Sequence, residues 1–91
     1  MKTEYKHIHF VNVSSAYPKR KTQTWDCRNN SGVFLGIVYW NCKWRQYCFY
    51  IKTERIFSAG CLHDIIDFIN NLHAERNAER RKHKEQISKN A

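Results

Sequence analysis

Aromatic and basic side chains alternate in one short stretch of this chain, and together they could stack on bases and neutralise phosphates. Six aromatic residues fall between positions 39 and 50, with Lys43 and Arg45 among them. Rings stack on the flat faces of unpaired bases, while lysine and arginine attract phosphate oxygens. The pattern leaves two interpretations open. Either Arg45, Tyr47 and neighbouring rings face outward, or the helix and a second element cover both faces of this sheet region.

The distribution of charge favours an anionic partner. The net charge is +8; residues 1–57 hold ten Lys/Arg against three Asp/Glu, and residues 74–91 hold six against three. Residues 58–73 carry two Asp and no Lys or Arg. Excess positive charge attracts nucleic acid, anionic membranes or acidic proteins. Under the nucleic-acid hypothesis the expected contact residues are Lys19, Arg20, Lys21, Arg28, Lys43, Trp44, Arg45, Tyr47, Arg76, Arg80, Arg81, Lys82 and Lys84.

A second hypothesis uses the same rings differently. An exposed aromatic patch with a polar rim is a common anchor in protein–protein interfaces. The chain would then be a protein-binding module that inhibits or redirects a host enzyme or defence factor. A homodimer stays open as well, because the core of a 91-residue chain is small.

The cysteines do not show the spacing of a metal site. Cys27, Cys42, Cys48 and Cys61 are separated by fourteen, five and twelve residues, whereas zinc ligands usually pair as C-x₂₋₄-C. His63 lies close to Cys61, but not in a recognised ligand pattern. We therefore expect reduced, structural cysteines, no metal and no cofactor.

Catalytic chemistry is not indicated either. Cys61 with His63, or Cys48 with His7, could supply a nucleophile and a base, but no third residue is placed to orient them. The chain has only three glycines and no glycine-rich phosphate loop. The sequence predicts a non-enzymatic protein.

Residue patterning predicts an α+β fold in which a three- to four-stranded antiparallel meander is packed by one C-terminal helix. Residues 5–13 are typical of a first or edge strand, and residues 22–28, 33–40 and 44–51 of three consecutive strands. The turn Asn29-Asn30-Ser31-Gly32 separates two of them.

A helix is expected after Ser58, a suitable N-cap. Apolar residues then recur at helical spacing, and this stripe ends at Leu72. We predict one α+β domain over residues 1–73, with 74–91 as an exposed basic helical extension that folding does not need. The stripe comprises Leu62, Ile65, Ile66, Phe68, Ile69 and Leu72.

Membrane and secretion signals are missing from the pattern. The first seven residues have no apolar segment, and no stretch approaches the ~18 apolar residues of a membrane span. We therefore expect no membrane partner and an intracellular location.

Three stretches together resemble a group of small uncharacterised bacteriophage and prophage proteins with a Trp-Arg-x-Tyr-x-Phe strand followed by a Cys-Leu-x-x-Ile helix. The resemblance covers roughly residues 25–72 and implies a phage-encoded accessory protein acting in the cytoplasm of a bacterial host. The stretches are Leu35-Gly36-Ile37-Val38-Tyr39-Trp40, Trp44-Arg45-Gln46-Tyr47-Cys48-Phe49 and Ile56-Phe57-Ser58-Ala59-Gly60-Cys61-Leu62.

Overall fold

Four strands and one long helix form the fold. The computed structural model describes residues 1–89, with side chains described for residues 1–82. Strands lie side by side in chain order, and every neighbouring pair is antiparallel. The predicted α+β meander with a C-terminal helix is confirmed. The elements are β1 (Ile8–Asn12), a short 3₁₀ turn (Ser14–Ala16), β2 (Trp25–Asn29), β3 (Phe34–Asn41), β4 (Gln46–Ile51) and α1 (Ala59–Lys89).

The last strand begins later than its composition predicts. Residues 42–45 form the tight connection between β3 and β4, so β4 starts at Gln46. Arg45 takes up a left-handed conformation with φ 57°. Its backbone N–H donates to the Asn41 carbonyl at 2.7 Å, and the Trp44 N–H donates to the Asn41 side chain at 2.8 Å. These two bonds fix the hairpin tip.

The core lies between α1 and one face of the sheet, with Phe68 at its centre. The Phe68 ring stacks on Phe10 at 3.8 Å between centroids and meets Trp25 edge-on at 5.2 Å. Phe68 is fully buried, and Ile65 and Leu72 are buried one helical turn to either side. Offset and edge-on aromatic pairs stabilise a core beyond their burial alone, so this cluster fixes where the helix crosses the sheet.

The helix begins where its sequence predicts. The Ser58 hydroxyl accepts the Cys61 backbone N–H at 3.1 Å, which confirms Ser58 as the N-cap. The apolar stripe, however, is wider than the contact with the sheet. Leu62 is 45 % exposed and Ile66 56 % exposed, because Ile65, Phe68 and Leu72 fill the interface.

The contact between helix and sheet continues past residue 73. The His73 Nε2 accepts the backbone N–H of Tyr47 on the edge strand β4 at 2.9 Å. The Arg76 guanidinium lies over the Trp40 ring, 4.3 Å from its centroid. Residues 1–89 contain no helix whose length and apolar character would let it span a bilayer.

Gly36 is required where β3 passes beneath a ring of β4. A Cβ at this position would lie 2.5 Å from the Phe49 ring and 2.6 Å from the Tyr50 carbonyl oxygen. At Gly60, by contrast, the nearest atom would be the Ser58 hydroxyl at 3.8 Å. Of these two glycines, therefore, Gly36 has no room for a methyl group and Gly60 has.

We expect Gly36→Ala to lower the free energy of unfolding by roughly 1–3 kcal/mol, because a backbone carbonyl cannot move aside for the new methyl group. Gly60→Ala is the matched control and should be neutral or slightly stabilising, because alanine favours a helix over glycine. Urea unfolding followed by circular dichroism measures both. Equal stability of the two variants would contradict this account of Gly36.

Truncation tests where the packed part of the helix ends. A chain that ends at Ala78 keeps Arg76 on Trp40 and should melt within a few degrees of the full chain. A chain that ends at Ala74 loses that contact and should be destabilised by about 0.5–1 kcal/mol, the usual value of an exposed cation–π pair. Thermal melts of both chains separate the two cases; identical melts would show that Arg76 contributes nothing.

Candidate nucleic-acid interface

Three segments that are distant in sequence meet at one end of the sheet. They are the loop before β2, the β3–β4 hairpin tip and the second half of α1. A groove of about 470 Å³ lies between the loop and the hairpin, lined by Lys19, Arg20, Lys21, Thr22, Tyr39, Trp40 and Cys42. We call the following residues the basic end surface: Lys19, Arg20, Lys21, Lys43, Trp44, Arg45 and Arg76.

The hairpin tip presents one ring between two cations. Trp44 is 66 % exposed, and Lys43 and Arg45 beside it are exposed as well. The turn geometry holds this arrangement, since Asn41 bonds the backbone of both Trp44 and Arg45. A flat aromatic face flanked by positive charge can stack on a base while the cations approach its phosphates.

Arg20 attaches the basic loop to the outer face of the sheet. Its guanidinium lies between the rings of Tyr17 and Tyr39, 4.1 and 4.2 Å from their centroids. It also donates to the Thr24 hydroxyl at 3.2 Å. Tyr39 in turn stacks on Tyr50 at 4.0 Å. Lys19 and Lys21 are therefore carried on a loop whose middle residue is fixed by the sheet.

Tyr47 does not face outward, so its predicted role as a contact residue is not supported. Its side chain is 5 % exposed and packs edge-on against Trp40 at 5.3 Å. Its hydroxyl accepts the backbone N–H of Gln23 at 3.3 Å. The helix covers this face of β4, and the Tyr47 ring packs below the basic end surface, on the helix side of the sheet.

Arg28 lies at the opposite end of the sheet and serves the fold. Its guanidinium pairs with Asp26 at 3.2 Å and donates to the Gly32 carbonyl at 3.3 Å. It thereby ties β2 to the turn that precedes β3. Its predicted role as a nucleic-acid contact is not supported, because the residue is separated from the other cations and is already paired.

The cations of the helical extension continue away from this surface. Arg80, Arg81 and Lys82 are exposed, and Glu79 lies next to them on the helix. The side chain of Lys84 lies outside the described residues. Because α1 crosses the sheet toward the hairpin end, where Arg76 meets Trp40, these residues project from the same end as Trp44.

The residues that complete the groove were only partly indicated by the sequence. Tyr17, Thr22 and Cys42 line or brace it, and none of them was expected to take part. Tyr17 and Pro18 directly precede Lys19, Arg20 and Lys21. A ring followed by three cations is the sequence signal that would indicate this loop as part of a binding surface.

The four cysteines are unbridged and dispersed. Cys27 is buried in the core, where burial raises the pKa of its thiol to about 12, whereas Cys42 is exposed at the hairpin. Within the described residues, no three His, Cys, Asp or Glu side chains are grouped to hold a metal ion. His7 and Cys61 both line a second groove of about 480 Å³ at the opposite end of the sheet.

The fold and this surface define a small basic α+β protein with a ring-and-cation cluster at one end of its sheet. The chain is 33 % identical over 75 residues to an uncharacterised 9.3 kDa protein of Acholeplasma phage L2, and the match covers 81 % of this chain and 91 % of the phage protein. It belongs to the same family as that phage protein. No protein-family model and no solved structure matches the chain.

Acid should weaken the contact between His73 and β4. Burial, and secondarily the positive charge of Arg76, lowers the pKa of His73 below its ordinary 6.5. The unfolded chain therefore binds the proton more tightly, and stability falls as pH drops below about 6.5. We expect a loss of stability between pH 7.5 and 5.5 that is smaller in His73→Gln, whose amide oxygen still accepts the Tyr47 N–H. Urea titrations at both pH values measure it; an equal loss in both proteins would contradict this role.

Thiol labelling should separate the cysteines by burial. Cys42 should react with a maleimide in the folded chain, and Cys27 only after unfolding, because thiolate character and access control the rate. Mass spectrometry of partly labelled protein gives the order. Metal analysis of the same sample should find no zinc; one zinc per chain, or fast labelling of Cys27, would contradict the prediction of metal-free structural cysteines.

Proposed function

We propose that this chain is a non-enzymatic accessory protein, encoded by a phage or prophage, that binds nucleic acid in the bacterial cytoplasm through the basic end surface. One observation supports this most strongly. Among the described side chains, the ion pair with nitrogen and oxygen within 4 Å of each other is the one between Arg28 and Asp26, at the opposite end of the sheet. Within the part of the chain whose side chains are described, the cations of the basic end surface have no carboxylate partner within 4 Å, so their charge is available to an anion.

The convergence of separate segments adds to this argument. A basic run in one segment is commonly a solvated surface, but here the cations of the loop line a groove against Tyr39, Trp40 and Cys42 of the β3–β4 hairpin, and Arg76 of the helix lies over the same Trp40. Concentrated charge of one sign raises the local concentration of an oppositely charged polymer and speeds its association. Membership in the family of a phage protein is consistent with an accessory role beside phage nucleic acid.

A protein partner is the alternative, and a different surface favours it. Ile51, Ile56, Leu62 and Ile66 are all exposed, with Ile56 at 99 %. They lie on β4, on the segment that leads into the helix and on the first turns of α1. Exposed apolar side chains of this kind can anchor a host enzyme or defence factor.

Binding should depend strongly on salt. Each phosphate neutralised contributes about −0.9 to the log–log slope of affinity against salt for duplex DNA and about −0.7 for single strands, so five engaged cations give roughly −3.5 to −4.5. The double variant Lys43→Ala/Arg45→Ala should weaken binding and make the slope shallower by about 1.4 to 1.8. Fluorescence anisotropy with labelled oligonucleotides, stepped upward in salt, measures both quantities.

Lys6→Ala/Lys52→Ala is the matched control, since it removes the same charge from the other end of the sheet. It should change affinity by less than half as much. Equal weakening by both double variants would show that the charge acts without a defined surface. No binding at micromolar protein in low salt would eliminate the proposed function and favour the protein partner.

A further inference from the structure

We infer that the basic end surface takes single-stranded nucleic acid and discriminates against duplex, with a base stacked on Trp44 and an adjoining nucleotide in the groove beside Cys42. This inference rests on the proposed function and goes beyond it by naming the form of the ligand. It follows from which chemical groups remain free at this end of the molecule.

The side-chain amide at the base of the hairpin tip is already occupied. Asn41 accepts the Trp44 N–H through its side-chain oxygen and donates its amide to the Tyr50 hydroxyl at 3.1 Å. Duplex sequences are read by hydrogen bonds to base edges, with asparagine among the usual readers. Here that side chain holds the hairpin together, so it is not available to a groove of duplex DNA.

The groups that remain free are the Trp44 ring and the cations beside it and in the loop. Trp44 is 66 % exposed, and Lys19 and Lys21 of the loop line the groove. In a duplex the flat faces of the bases are covered by their neighbours, whereas a single strand can turn each base outward onto an aromatic side chain. An exposed indole therefore adds affinity for a single strand that duplex cannot obtain without unstacking.

The groove has the size and rigidity to hold one nucleotide. Its volume of about 470 Å³ lies within the range of roughly 300–1,000 Å³ that small-ligand sites occupy. Arg20 is held between Tyr17 and Tyr39 before any ligand binds, so the loop does not have to be ordered by binding.

Comparing the affinities for single-stranded and duplex DNA of the same sequence tests the inference. Fluorescence anisotropy is measured with one labelled DNA sequence of about 20 nucleotides, presented as single strand and as duplex at the same low salt. We expect the single strand to bind at least tenfold more tightly. Trp44→Ala should weaken single-strand binding by about 5- to 150-fold, the range for loss of one stacked base, and leave duplex affinity nearly unchanged.

Two further variants separate stacking from general damage. Trp44→Phe keeps a ring and should retain most of the affinity. Phe34→Ala removes an exposed ring at the other end of the sheet, where Phe34 is 38 % exposed, and should bind as the unmodified chain does. In the unmodified chain, single strand should also quench tryptophan fluorescence, since Trp44 is the most exposed of the three tryptophans.

Each outcome has a distinct meaning. Duplex binding as tight as single strand overturns this inference and leaves the proposed function standing. A preference for single strand that Trp44→Ala does not reduce overturns the stacking site. No binding of either form removes the proposed function itself, and this inference with it.

Discussion

The stack of Phe68 on Phe10 is the contact on which the rest of this structure depends. It lies at the centre of the only extensive core of the described chain and fixes where α1 crosses the sheet. Since the helix begins at the Ser58 cap near one end of the sheet, the same crossing carries Arg76 onto Trp40 at the other end. The position of one aromatic pair in the core thus determines which loop and which hairpin the basic half of the helix can reach.

Arg28 and Arg20, at opposite ends of the sheet, are held in place differently. At the end near the β2–β3 turn, Arg28 is paired with Asp26 and bonded to the backbone, so its charge serves the fold. At the other end, Arg20 is held by rings and a hydroxyl, which fix its position without neutralising it. Lys19, Lys21, Lys43 and Arg45 are exposed around it. Arg20 keeps its charge available because rings and a hydroxyl, and not a carboxylate, hold it in place.

Local patterns predicted the elements of the fold, but could not choose between the two faces of β4. The alternation of residues 44–51 offers rings on both sides, so the orientation of Tyr47 depended on where the helix docked, which is a long-range contact. The structure places Tyr47 and Phe49 inward and Tyr50 outward. The ion pair of Arg28 was not predicted for a similar reason: its partner Asp26 lies two residues away on the same strand, and only the folded strand shows that the two side chains meet. The basic loop and hairpin, by contrast, were recognisable from residue type alone.

We propose the end of the sheet where loop, hairpin and helix meet as the anion-binding surface. Backbone amide chemical shifts of labelled protein, titrated with a single-stranded oligonucleotide at low salt, test this most directly. We expect perturbations concentrated in residues 19–22 and 42–45 and around Arg76, with the turn between β2 and β3 unchanged. Perturbations centred on residues 28–34, or spread evenly over every exposed lysine and arginine, would contradict it.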